Sequence, residues 1–260
     1  MRARLLLLVI TFLVLSKQEV YSQGGFSHEV GVIAGPLAFY SDFGQRNDIK
    51  TNSGNSTIGI GLIHYINFSY RADCNCYTAD TYFNDHFKLR NEIDYYSIKL
   101  DHFGEWVAPE HTGSGADFLR SMKGSTSVFE IGSQLEYFPM SIRDFAARQY
   151  SLAPFISMGL HWVAYDSTIT YDENLAIQSN YYGGKYYPLT SMNNEGGNTW
   201  EFVTSVGVRY KLSPLSDLML DSRWGYYFSN WVDGLNPEVP ENKANEWIYW
   251  INLGYIYYLE

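Results

Sequence analysis

Charged side chains recur at every second position in several segments that are otherwise rich in apolar and aromatic residues. Side chains two residues apart in a β-strand project from the same face, so these charges would meet inside a closed sheet. The residues that share this pattern are Arg90, Glu92, Asp94, Glu130, Glu136, Arg209, Asp221 and Arg223. Buried charges must be paired or hydrated. The pattern therefore predicts a salt-bridge network that fills the interior, or alternatively a gated path for a small solute in which Arg209 and Arg223 face Glu130 and Asp221.

A hydrolase site is the second chemistry to consider. A lipid-modifying barrel would need a histidine, a serine nucleophile and a carboxylate near the outer leaflet. His102, His111 and Ser114 lie close together in one segment between two alternating stretches, but the chain contains no G-x-S-x-G motif. We therefore expect no enzyme and no catalytic residue, and an outer-membrane lipid-modifying enzyme is only the third hypothesis.

The cysteines do not build a recognisable site. Cys74 and Cys76 are the only two in the chain. A bridge between them would close a very small, strained ring, and two thiols are too few for a structural zinc site. His64, Asp73 and His86 could add ligands, but their spacing forms no motif. The sequence predicts neither a metal nor a cofactor.

The elements that must position these residues are clearest at the end of the chain, where residues 245–260 read NEWIYWINLGYIYYLE. One alternate set is large and apolar, and the other contains small and polar residues, so the segment predicts a strand with one greasy face. The greasy set is Trp247, Tyr249, Ile251, Leu253, Tyr255, Tyr257 and Leu259. Aromatic residues at both ends of such a face are typical of a membrane-spanning β-barrel strand.

The start of the chain resembles a secretory signal peptide. Arg2 and Arg4 precede an apolar run at Leu5–Leu15, which is too short for a spanning helix of about 20 residues. We expect Met1–Ser22 to be removed before Gln23, which leaves residues 23–260 as one barrel domain. Together with the terminal strand, this signal predicts export to the outer membrane, with outer-membrane lipids as the surroundings.

Seven further segments alternate in the same way. The predicted strands before the terminal one are Glu29–Tyr40, Thr57–Phe68, Lys88–Leu100, Ser127–Phe138, Leu152–Tyr165, Trp200–Leu212 and Leu218–Asn230. Eight strands of this length predict an all-β, eight-stranded antiparallel up-and-down outer-membrane barrel with a filled polar lumen. A soluble barrel or sandwich remains the alternative, because it would show the same alternation with the apolar face turned inward.

The connections between these strands assign the two sides. The longer ones, at residues 41–56, 101–126, 166–199 and 231–244, would face outward, as outer loops do. The connection at residues 69–87 is long for a periplasmic turn and contains Cys74 and Cys76. We interpret it as a candidate periplasmic docking segment, with frayed strand ends as the alternative.

The net charge and the amino-acid composition limit the classes of partner that the chain could bind. The net charge of −10 argues against nucleic acid, which calls for basic patches. Aromatic residues make up 17% of the chain, as is common in membrane barrels.

Two stretches resemble a known kind of protein. SHEVGVIAGPLAFYSDFG near the start, and FEIGSQLEYFPMS followed by YSLAPFISMGLHW, are similar to an uncharacterised family of small outer-membrane β-barrels from flavobacteria and other Bacteroidota. More distantly, the chain resembles the PorG-type barrel of type IX secretion and gliding. That resemblance implies a barrel that anchors periplasmic or lipoprotein partners in the cell envelope. The leading expectation is thus a structural adaptor, and a narrow porin or solute-binding barrel is the alternative.

Overall fold

Eight antiparallel strands pair in chain order, and the last pairs with the first, so the sheet closes into a barrel. The strands are β1 Ser27–Tyr40, β2 Ser56–Asn67, β3 Phe87–Asp101, β4 Lys123–Tyr137, β5 Leu152–Thr170, β6 Gly197–Ser213, β7 Ser216–Tyr227 and β8 Trp247–Leu259. Closure removes every free sheet edge. The predicted fold class is confirmed, down to the polar side chains that fill the lumen.

This computed structural model describes residues 26–44, 48–52, 54–69, 82–179, 191–237 and 244–259. The expected signal peptide at residues 1–22 and the pair Cys74 and Cys76 lie outside the described residues. The predictions about them therefore stay predictions.

The strands match the eight predicted segments, with differences at their ends. β5 continues to Thr170, beyond the predicted end at Tyr165, because β4 begins at Lys123 and pairs with it along this extension. β7 ends at Tyr227 rather than Asn230, where the chain turns into the last outer connection. Sequence alternation alone does not show where a strand loses its partner.

Short helices occupy several connections that alternation could not reveal. They are α1 Ile49–Asn52, α2 Tyr82–His86, α3 Ser114–Ser121, α4 Ile142–Ala146 and α5 Glu173–Ser179. None of the helices in the described ranges is long and apolar enough to cross a membrane.

The two faces of the sheet are inverted relative to a soluble barrel. Ile58 is 70% exposed and Leu253 is 68% exposed on the outside, whereas Arg90 and Arg209 are fully buried inside. Water would penalise such a continuous apolar exterior, but lipid acyl chains would not. This inversion excludes the soluble alternative and gives the barrel the architecture of an outer-membrane protein.

The connections differ at the two ends of the barrel. At one end β6 and β7 are joined by a tight turn between Ser213 and Ser216. The connection from Asn67 to Phe87 at this end is long, whereas at the other end all four connections are long, including the one from Asp101 to Lys123. Since membrane barrels have short periplasmic turns and longer outer loops, we assign the end that carries the start of β1 and the end of β8 to the periplasm.

Replacing Ile131 with Arg should block insertion more than the same change elsewhere on its strand. Ile131 lies near the middle of β4 and faces outward. We expect Ile131→Arg to destabilise the folded barrel by about 2–4 kcal/mol and Ser125→Arg, near the outer end of the same face, by about 0–1 kcal/mol. Urea titration of both variants in phospholipid vesicles measures the difference. Equal losses would contradict the membrane assignment of this face.

Candidate functional site

The barrel interior is filled by ionisable side chains. The eight residues predicted from alternation (Arg90, Glu92, Asp94, Glu130, Glu136, Arg209, Asp221 and Arg223) all face inward, and none is more than 2% exposed. The structure adds Glu29, Lys88, His161, Glu201, Lys211 and Asp217 to the same interior. These fourteen residues are called the lumen network below. They bring together eight carboxylates and five permanently basic groups.

Arg209 organises the periplasmic half of the lumen network. Its guanidinium lies 2.7 Å from Glu29 Oε2 and 3.1 Å from Glu136 Oε2. The ring of Tyr65 stacks on the guanidinium at 4.1 Å, and the Tyr65 hydroxyl donates to Glu136 at 3.0 Å. Lys88 adds a second cation to Glu29. Each carboxylate is thereby held by more than one donor, which offsets its loss of hydration.

A smaller set of contacts lies in the periplasmic half of the lumen, next to the turn between β6 and β7. Lys211 Nζ lies 2.8 Å from Asp217 Oδ1. Tyr258 donates to the other oxygen of Asp217 at 2.6 Å and accepts from Lys211 at 2.8 Å. The last strand is therefore connected to β6 and β7 through side chains as well as through the sheet.

Two arginines share the carboxylates at mid-height. Arg90 binds Asp221 at 3.0 Å and Glu136 at 3.2 Å, and it also contacts Glu92. Arg223 binds Glu92 at 2.9 Å and Asp94 at 3.0 Å. These contacts cross the lumen between β3 and β7, which are not neighbours in the sheet. The interior is thus cross-linked by ion pairs.

One expected pairing is not formed. Arg223 does lie 3.5 Å from Asp221, but Arg209 contacts Glu29 and Glu136 instead of Glu130. Glu130 accepts a hydrogen bond from the Tyr227 hydroxyl at 2.9 Å. Alternation predicts the face of each residue but not its height, and the strand register places Glu130 far above Arg209.

Some lumen residues were missed although a signal for them was present. Glu29 precedes Gly31 and Ile33 on the inward face of β1, and Lys88 precedes Arg90 on β3. Both belong to the same two-residue pattern as the predicted set. Asp217 also belongs to this pattern, four residues before Asp221 on the inward face of β7, but it lies just outside the predicted strand, which begins at Leu218.

The outer end of the lumen is covered by its own connections. Phe43, Phe118, Val232 and Leu235 are fully buried there and form an apolar layer above the strands. This layer is called the outer cap. The connections that build the outer cap are joined by backbone hydrogen bonds, such as Asn193 N–H to Gly234 O at 2.9 Å.

The periplasmic end is also filled. Phe138, Phe145 and Phe155 are buried at this end, and the Lys211 ammonium lies over the Phe145 ring at 4.7 Å. The described part of the chain therefore closes the lumen at both ends and fills it in between.

The histidines and serine considered for catalysis lie apart in the outer cap. His102 Nε2 lies 3.3 Å from Met122 Sδ, and its ring packs against Phe43. The His111 ring packs against Trp106, while Ser114 begins helix α3. The two rings thus have separate apolar neighbours. The expectation that the protein is not an enzyme stays a prediction.

Replacing an arginine of the lumen should lower the free energy of unfolding far more than replacing a surface lysine. Arg223→Met leaves three carboxylates with a weaker set of partners in the buried interior, so we expect a loss of about 3–5 kcal/mol. The control Lys123→Met breaks an exposed ion pair with Asp101 and should cost about 0–1 kcal/mol. Reversible urea unfolding in detergent micelles measures both. Similar losses would show that the lumen network does not hold the barrel.

The outer cap should loosen as the pH falls. Burial lowers the pKa of His102 from 6.5 to about 4; a hydrogen bond with the Phe43 backbone and the charge of Asp101 oppose this shift, whereas Lys123 adds to it. The unfolded connection therefore binds a proton between these values while the folded one does not, and stability declines as the pH falls from 6.5 towards 4. Amide protection factors at residues 102–122, which compare the observed exchange rate with the intrinsic rate at the same pH, should decrease over this window in the wild type. In His102→Gln this decrease should be absent, and protection factors that stay constant in the wild type would contradict the assignment.

No protein-family model matches the chain, and no curated protein matches it. Solved structures of bacterial outer-membrane proteins do align with it. A major outer membrane protein from Thermus thermophilus has a TM-score of 0.44 and 13% identity, covering 90% of this chain and 99% of that one. Neisserial surface protein A has a TM-score of 0.41 and 16% identity, covering 88% and 96%. OprG from Pseudomonas aeruginosa has a TM-score of 0.40 and 15% identity, covering 90% and 98%.

Proposed function

We propose that this chain is a non-conducting barrel of the outer membrane that acts as a structural adaptor and anchors partners of the cell envelope. One observation carries the proposal, namely that the lumen network and the layers at both ends fill the interior. A barrel without an open path cannot serve solutes through its lumen. The function must then lie on the surfaces at the two ends of the barrel, where partners can bind.

The periplasmic surface supports docking because one of its connections contains an ordered helix and is not just a tight turn. Helix α4 lies between β4 and β5, and Ser141 caps it by accepting from the Asp144 N–H at 3.2 Å. Arg143 N–H donates to Asp85 Oδ1 at 3.2 Å, which ties α4 to the connection between β2 and β3. Two neighbouring connections therefore present one ordered surface.

This surface contains exposed groups that a protein partner could contact. Met140 is 39% exposed at the start of the connection. Arg148 is exposed at its end and adopts a positive φ of 61°, a backbone conformation that non-glycine residues rarely take. We call the segment between Phe138 and Ser151 the periplasmic platform. An exposed methionine and an exposed basic residue on one connection suit a partner with an apolar patch and an acidic rim.

The resemblance to PorG-type barrels makes components of type IX secretion or gliding the first partners to test, including periplasmic and lipoprotein subunits. The segment with Cys74 and Cys76 belongs to the same side of the protein in this proposal. The alternative functions of a narrow porin or a lipid-modifying enzyme have no comparable support in the described geometry.

Changing the periplasmic platform should release partners without unfolding the barrel. In native envelopes, crosslinking followed by purification in mild detergent should recover a defined periplasmic or lipoprotein subunit with the wild type. We expect the double variant Met140→Asp/Arg148→Glu to lose most of that subunit, because it adds like charge to a surface that faces an acidic rim. Trp106→Asp changes an exposed residue of the outer side and should leave recovery unchanged.

Two results would contradict the adaptor function. One is equal recovery of the same subunit with the platform variant, measured at equal amounts of folded barrel. The other is a reproducible single-channel conductance of the wild type in planar bilayers that changes in Arg223→Ala. The second result would assign the lumen to solute passage.

A further inference from the structure

Three lumen residues meet in the outer half of the barrel, apart from the arginine and lysine ion pairs described above. Glu130, His161 and Glu201 belong to β4, β5 and β6, three adjacent strands, and the register places His161 directly opposite Glu201. His161 Nδ1 lies 3.6 Å from Glu130 Oε2 and 3.8 Å from Glu201 Oε2. One atom from each side chain lies within 4.8 Å of the other two.

The polar atoms that point into this cluster are buried without partners. Glu201 is fully buried, and among the described residues its carboxylate has no hydrogen-bonding neighbour other than the carboxyl group of Glu130. His161 is fully buried too, and its Nδ1 atom also has no hydrogen-bond partner. A buried carboxylate with no donor is costly. The Tyr227 hydroxyl donates to Glu130, but no described lysine, arginine or hydroxyl is placed against Glu201.

The basic residues of the lumen do not supply that group. Arg223 is engaged by Glu92, Asp94 and Asp221, and Arg90 by Glu92, Glu136 and Asp221. Within the described part of the chain, no arginine or lysine forms an ion pair with Glu130 or Glu201. Among the described residues of the lumen network, Glu130 and Glu201 are thus two carboxylates without an arginine or lysine partner.

The surrounding backbone leaves space for these side chains. A Cβ atom added to Gly225 would overlap Glu201 Oε1, and one added to Gly132 would overlap the His161 ring. Any larger residue at either position would displace the cluster. Gly132 lies on β4, two residues from Glu130, and Gly225 lies on β7, the neighbour of β6, so the barrel wall itself leaves room for these side chains.

We propose that Glu130, His161 and Glu201 form a binding site for a divalent transition-metal ion inside the barrel. One imidazole nitrogen and two carboxylate oxygens suit ions such as Zn²⁺ better than Ca²⁺ or Mg²⁺, which prefer oxygen alone. Bonds of about 2.0–2.2 Å to one ion separate two ligand atoms by about 3–4 Å, which agrees with the spacing around His161.

The environment of His161 fits the same assignment. Glu92 Oε2 lies 3.6 Å from Nε2, on the side of the ring away from the cluster. Gln134 holds the same Glu92 oxygen through a hydrogen bond of 2.8 Å. The Gln134 amide nitrogen also lies 3.4 Å from His161 Nε2. With a metal on Nδ1 the imidazole proton would lie on Nε2, where Glu92 would accept it in place of the Gln134 contact and orient the ring. The ion would join β4, β5 and β6 at the level where arginine cross-links end. It is a structural site, since the described residues close the lumen above and below it.

Zinc retention by the folded full-length barrel tests the site. The protein is refolded from urea into detergent with Zn²⁺, passed through gel filtration with a weak chelator, and its zinc content is measured by mass spectrometry. We expect one Zn²⁺ per wild-type chain. We expect loss of that ion in Glu201→Gln, which keeps the side-chain shape but removes the charge.

A second histidine pair provides the necessary control. His28 Nδ1 and His64 Nε2 lie 3.1 Å apart on the outer face of the barrel and could hold zinc adventitiously. The double variant His28→Gln/His64→Gln should therefore retain its Zn²⁺. Loss of zinc in this variant, with retention in Glu201→Gln, would overturn the proposal in favour of a surface site.

Two further outcomes also decide the question. A wild type that retains no zinc, while Glu201→Gln unfolds at a higher urea concentration, would show that Glu130 and Glu201 share a proton instead of a metal. If Glu201→Gln does not fold, X-ray absorption at the zinc edge of the wild type decides. Coordination by one imidazole and carboxylate oxygens supports the site, and coordination by two imidazoles overturns it.

Discussion

The structure depends on the mutual neutralisation of charges that the barrel wall removes from water. Lipid-facing residues leave the ionisable side chains only one place to go, the interior, and an eight-stranded barrel has little room there for solvent. Each arginine must then satisfy several carboxylates at once. Arg209 does so between β1 and β4, and Arg90 between β4 and β7. The same contacts that solve the desolvation problem hold opposite walls together, so filling and rigidity have one cause.

Much of this architecture could be predicted from alternation because a strand has a strict two-residue period. The inward position of Arg90, Glu92 and Asp94 follows from their spacing alone, and so does the greasy face of the last strand. The two-residue period does not predict the register between neighbouring strands, that is, the height at which each residue lies in the barrel. The partner of Glu130 depends on where β4 sits relative to β6 and β7, which is why its expected contact with Arg209 is not formed. The site formed by Glu130, His161 and Glu201 depends on the same register and was not predicted.

The ends of the barrel were less predictable for a different reason. Helix α4 is only five residues long, and its stability comes from the Ser141 cap and from buried Ile142 and Phe145. So short an element has no periodic signal of its own. The same holds for α3 and α5 in the outer connections, where Phe118 packs edge-on against Tyr171. These segments acquire their structure from neighbours that are distant in sequence, and they decide which surfaces the barrel offers.

The ion pairs of the lumen also join residues that are far apart along the chain. Glu29 and Arg209 are separated by 180 positions, and Arg90 and Asp221 by 131. While the chain is still unfolded, each of these groups is hydrated and keeps its full charge, which favours solubility during transit to the membrane. Neutralisation by these long-range pairs becomes available only when distant strands come together in the closed barrel. Barrel closure and the loss of solvent are therefore one late event, and contacts of such long range make that event intrinsically slow. A cellular assembly factor that holds the two terminal strands together would accelerate barrel closure, the slow step of folding.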